Sequence, residues 1–137
     1  MSKEITYSRE RILVVDDDKA FRVATRTLLE DDGYTVALAT SADEALSVLS
    51  SSEVDLILSD LVMTKMTGIE LLKALDIAEI RLPVIVLSGA IGEQLEADEL
   101  LNLGYVSEDV IGKPADLFEL LKRVKIQLSA HSCENMA

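Results

Sequence analysis

Three short runs, ILVV at 12–15, LILS at 56–59 and VIVL at 84–87, are apolar at nearly every position. A strand with one wet face alternates apolar and polar residues, so unbroken runs of this length belong to strands covered on both sides. TVALAT at 35–40 is half polar and DVIG at 109–112 is short, so the first three runs are the central ones.

The segments between the runs carry the helical period. Phe21, Ala24, Leu28 and Leu29 share one face of a helix that ends near Gly33. Ser41 followed by Glu44 is a capping-box pattern, and Ala42, Ala45, Leu46 and Leu49 line one face of the helix it opens. A third helix is predicted from about Gly68 to Ile77, and a fourth in the acidic stretch EQLEADELLNLG. A last one carries the stripe Leu117, Leu120, Leu121, Val124 and Leu128. Five strand–helix units predict an α/β fold, a mostly parallel sheet with helices on both faces, because each parallel crossover needs a dozen or more residues and is right-handed.

A chain of 137 residues that is 49% hydrophobic can bury one sizeable core and is too short for two. Residues 1–10 read as an N-terminal extension, 11–129 as the folded domain and 130–137 as a frayed tail. Asp and Glu number 25 against 13 Lys and Arg, and the formal net charge of -12 repels phosphate backbones and anionic lipid surfaces. Nucleic acid and membrane are therefore poor partners, and another protein is the better expectation. The single cysteine, Cys133, has no internal disulfide partner. No signal-peptide pattern or spanning apolar run is evident, and the cytoplasm is the expected compartment.

In an open parallel sheet, ligands bind beyond the carboxyl ends of the strands, where strand order reverses. Asp16, Asp17 and Asp18 follow the first run, Asp60 and Ser88 follow the two other central runs, and Lys113 follows the last strand. Carboxylates gathered in a partly dry cleft repel one another until protons or a cation offset them. An all-oxygen ligand set suits a hard ion such as Mg2+ better than zinc, and the one histidine, His131, lies in the tail. With its charge offset, an aspartate can attack phosphorus, while metal and lysine neutralise the transferring oxygens. Three acids exceed what one helix cap needs, so Asp18 reads as the cap and Asp16 and Asp17 as site residues.

ILVVDDD, the lone Asp60 after LILS, the Ser-Gly of VIVLSG and the Lys-Pro of VIGKP closely resemble the receiver domains of bacterial two-component response regulators, the single-domain chemotaxis regulators among them. The resemblance runs from about Arg11 to Ser129. It implies a flavodoxin-like, five-stranded sheet of order 2-1-3-4-5 and a phosphorelay function in which Asp60 becomes an aspartyl phosphate. Asp16, Asp17, Asp60 and the backbone carbonyl of Val62 would then hold Mg2+, Ser88 would be the switch hydroxyl, and Lys113 would contact the phosphate. The implied donor is a phosphohistidine on a sensor histidine kinase or phosphotransfer protein, or a small acyl phosphate. The implied output is a protein-interaction surface, formed by the fourth helix, fifth strand and fifth helix, that can also carry a homodimer.

Some positions depart from that family's usual pattern. Val110 stands where an aromatic residue is common, with Tyr105 in a loop about two residues longer than usual. Thr64 and Thr67 replace the proline and aspartate of the loop after Asp60. Val62 and Ala90 cannot orient an attacking water, which predicts a slowly hydrolysing phosphoryl group. Two other readings compete: a pseudo-receiver that keeps the fold without regulated phosphorylation, and a phosphohydrolase resembling the haloacid dehalogenases, whose nucleophile would be Asp16.

Overall fold

The computed structural model describes residues 10–60, 68–88, 110–112 and 116–136. Within them the chain alternates β1 (Arg11–Val15), α1 (Lys19–Asp31), β2 (Thr35–Ala39), α2 (Ala42–Ser51), β3 (Leu56–Asp60), α3 (Gly68–Ile77) and β4 (Val84–Ser88). It then continues with the segment Val110–Gly112 and α4 (Leu117–Met136). The strands are parallel in the order β2-β1-β3-β4, and Val110–Gly112 pairs in parallel with β4, Val86 opposite Val110.

Burial follows the sequence pattern. Leu56–Asp60 is buried at every position and Ile12–Val15 likewise, whereas β2, with one neighbour, is only partly covered. Successive side chains on each strand pass to opposite faces. Leu13, Val15, Ile57, Val84 and Val86 therefore join Ala42 and Ala45 of α2 and Leu71, Leu72 and Leu75 of α3 in one core cluster. Ile12, Val14, Leu56, Leu58, Ile85 and Leu87 join Leu29 of α1 and Leu120, Val124 and Leu128 of α4 in the other.

The helix ends are set by local chemistry. The Asp18 carboxylate accepts the Ala20 N–H at 3.0 Å and caps α1, as the sequence implies. At its other end Gly33 has φ 98°, with Gly33 N–H donating to the Glu30 carbonyl and Tyr34 N–H to the Leu29 carbonyl. This is the left-handed stop that glycine adopts without Cβ strain. The same bond pattern closes α3 around Glu79, at φ 60°.

One expectation changes. The buried face of α1 carries Thr25 and Leu29, with Phe21 and Leu28 partly covered, while Ala24 is exposed. Phe21, Thr25 and Leu29 are four residues apart and stack along one face, so packing takes the polar Thr25 in place of the apolar Ala24. The last helix, α4, runs through Met136, and no Gly or Pro interrupts 117–136.

Thr25 is fully buried, and its hydroxyl has no hydrogen-bond partner among the described residues. Burying a hydroxyl without a partner costs about 1–3 kcal/mol. Thr25→Val keeps the branched shape and removes the hydroxyl, so it should stabilise the protein by about 1 kcal/mol. Urea unfolding with a raised midpoint and an unchanged slope is the expected result.

Candidate functional site at the carboxyl edge of the sheet

β1 and β3 are neighbours although a whole strand–helix unit separates them, because β2 lies on the far side of β1. Chain order reverses there, at the place where a parallel sheet opens a ligand crevice. Val15 stands opposite Ser59, so Asp16 and Asp60, one residue further along, leave the sheet side by side. Asp60 is in register with Leu87 and Ser88 with Gly112, which brings Ser88 to the same edge.

Asp16, Asp17 and Asp60 each offer one carboxylate oxygen, and these atoms lie within 4.8 Å of one another. Asp16 is fully buried and Asp60 is 5% exposed, while Asp17 faces solvent. Asp16 N–H donates to the Ala39 carbonyl at 3.1 Å, and its Oδ1 accepts the Asp18 N–H at 2.9 Å. Ser59, buried beside Asp60, satisfies its hydroxyl on the Asp60 carbonyl at 3.0 Å. Three acids supplying only oxygen, two of them withdrawn from water, fit a hard divalent cation. The expected ligand Val62 and the expected phosphate contact Lys113 lie outside the described residues, as do Thr64, Thr67, Ala90, Tyr105 and the acidic fourth-helix segment. Of Ser88, the backbone position alone is described.

One further group touches the first acid, and another holds the turn after β2. Arg22, on the first turns of α1, donates from a guanidinium NH to the Asp16 carbonyl at 2.8 Å. On α2, Glu44 N–H donates to Ser41 Oγ at 3.2 Å, the expected half of the capping box. The Glu44 carboxylate reaches back one residue further than the box requires, accepting Thr40 N–H at 2.7 Å and Thr40 Oγ1–H at 2.8 Å. The Thr40 N–H, then the Thr40 hydroxyl, and more weakly the charge of Arg22, hold the Glu44 carboxyl below its ordinary range. The sequence reading missed Arg22. A basic residue six positions after the first acid, one turn inside a capped helix, is the signal that points to it.

A doubly wound parallel sheet with an acid trio at its switch point is the architecture of receiver domains. Residues 12–125 match the family model for the response regulator receiver domain, and the chain belongs to that family. It is a signalling domain of the two-component class. It is 33% identical over 117 residues to the transcriptional regulatory protein DltR of Streptococcus agalactiae serotype III (strain NEM316), covering 85% of this chain and 51% of DltR. It is 34% identical over 127 residues to the response regulator MprA of Mycobacterium bovis (strain BCG / Pasteur 1173P2), covering 93% of this chain and 54% of MprA. The chain thus spans about half the length of the curated relatives it matches. Among solved structures, a CheY-like response regulator receiver domain protein from Methanospirillum hungatei JF-1 aligns with TM-score 0.83 and 31% identity, over 93% of this chain and 99% of that one. These matches favour the receiver over the phosphohydrolase and pseudo-receiver readings. Among the described residues, no helix is long and apolar enough to cross a membrane.

Proposed function

We propose that Asp60 is the phosphoryl acceptor of this receiver, in a Mg2+-dependent reaction, and that its phosphorylation switches a protein-interaction surface. The observation that carries this is the convergence of Asp16, Asp17 and Asp60 carboxylates within 4.8 Å at the ends of β1 and β3. In this reading Asp16, Asp17, Asp60 and the Val62 carbonyl hold Mg2+, which offsets the acids and the charge on the transferring oxygens. An Asp60 oxygen attacks phosphorus as the bond to the donor breaks, and the donor atom leaves with the electron pair. Lys113 neutralises phosphoryl oxygens, and Ser88 donates its hydroxyl to one of them and draws its loop inward. The domain thereby catalyses its own phosphorylation and dephosphorylation and acts on no separate substrate.

The donor is a sensor histidine kinase, a phosphotransfer protein or a small acyl phosphate, and the output partner is a protein. The receiver occupies 11–129, with 1–10 as an extension. Val110–Gly112 serves as the fifth strand of a 2-1-3-4-5 sheet, and the surface beside it carries the output contact or a homodimer. The cytoplasm, where such kinases deliver phosphate, is the proposed compartment.

Incubation with Mg2+ and acetyl phosphate, followed by intact-mass and peptide mass spectrometry, tests the assignment. One phosphoryl group on Asp60 is the expected result. No gain would favour the pseudo-receiver, and an adduct on Asp16 would favour the hydrolase.

A further inference from the structure

Arg22 makes two bonds to the segment that carries the exposed acid Asp17. Its backbone N–H donates to the Asp18 carbonyl at 3.0 Å, and its guanidinium donates to the Asp16 carbonyl at 2.8 Å. The carbonyls on either side of Asp17 are thus both tied to one residue of α1. Asp16 is held from its other sides as well, by its N–H on Ala39 and by its carboxylate on the Asp18 N–H. A peptide held at this many points resists rotation, and the Cα–Cβ directions of Asp16 and Asp17 are set with it.

We propose that Arg22 is a positioning residue for the acid trio, its guanidinium locking the Asp16 peptide so that the Asp16 and Asp17 carboxylates stay within reach of Asp60. Donated to the Asp16 carbonyl, the guanidinium acts on the ligands through the backbone. Its planar fork suits this better than a lysine ammonium, which is a hydrated point charge on a flexible stem. The charge of Arg22 also acts favourably on Glu44, whose carboxylate holds Thr40 of the β2–α2 turn.

The inference rests on the reading that the trio holds Mg2+, and the experiment separates the two. Wild type, Arg22→Met, Arg22→Lys and Asp17→Asn are titrated with Mg2+ by calorimetry, and Asp18 amide exchange is followed by NMR without metal. Arg22→Met should weaken Mg2+ about tenfold, the low end of the loss seen when a group supporting a metal ligand is removed. It should also speed exchange of the Asp18 amide, which donates to Asp16 Oδ1. Arg22→Lys should restore part of both, and it reads the effect should Arg22→Met fail to fold. With Mg2+ binding weakened in Asp17→Asn, affinity in Arg22→Met equal to or tighter than wild type would overturn the proposal, as would unchanged Asp18 exchange in both Arg22 variants. If Asp17→Asn binds Mg2+ as tightly as wild type, the metal reading fails by itself, and Asp18 exchange still decides the role of Arg22.

Discussion

Asp60→Asn should remain folded and take up no phosphoryl group from acetyl phosphate. The amide is nearly isosteric with the carboxylate but is a poor nucleophile, so the rate should fall by about 10³-fold or more, the scale on which loss of a covalent nucleophile is felt. The measurement is the time course of phosphoryl gain by intact mass, with a melting curve to show that the fold persists. Asp16→Asn is the companion variant. It removes a buried member of the trio and leaves the proposed nucleophile in place, so it should slow uptake without abolishing it. Full activity in Asp60→Asn together with none in Asp16→Asn would move the nucleophile to the end of β1.

Leu58→Ala should be the most destabilising of the changes considered. Leu58 is fully buried in β3, two residues before Asp60, and belongs to the core cluster with Val14, Leu29, Ile85 and Leu120. Truncation removes the transfer free energy of the side chain and leaves a cavity between strand and helices, together costing about 3–4 kcal/mol. Against a total stability of about 5–15 kcal/mol, that is a large fraction. With a slope of about 2 kcal/mol/M, the urea midpoint should fall by roughly 1.5–2 M. A shift below about 0.5 M would show that the two layers of helices relax around the strand far more freely than close packing allows.

The sheet and its acids were legible because both are written locally. Continuous apolar runs marked β1, β3 and β4 as central, and an acid directly after such a run is carried to the sheet edge wherever the run pairs. The Ser41 and Asp18 caps were readable for the same reason, since each satisfies an N–H two or three residues away. Thr25 was not, because residue type marks it as polar while its place in the four-residue stack buries it. Arg22 is harder to read because its partner is the Asp16 backbone carbonyl, so the spacing from the first acid and not the partner's residue type is what points to it. The reach of the Glu44 carboxylate to Thr40 depends on the path of the turn between β2 and α2.

The adjacency of β1 and β3 also bears on how the molecule assembles. Asp16 and Asp17 meet Asp60 only after β3 has docked against β1 past the intervening β2 unit, a contact between segments distant in the chain that is slow to form for entropic reasons. Until then the Asp60 charge is apart from the adjacent Asp16 and Asp17, and all three are solvated. The repulsion of Asp60 by that pair opposes the docking and no earlier event, so the chain can build its strand–helix units without meeting it. A divalent cation would then act on the folding rate to the extent that β1–β3 pairing is present in the transition state, and otherwise only on the rate of unfolding. The same adjacency that gathers the acids for chemistry decides when in folding their repulsion is first felt.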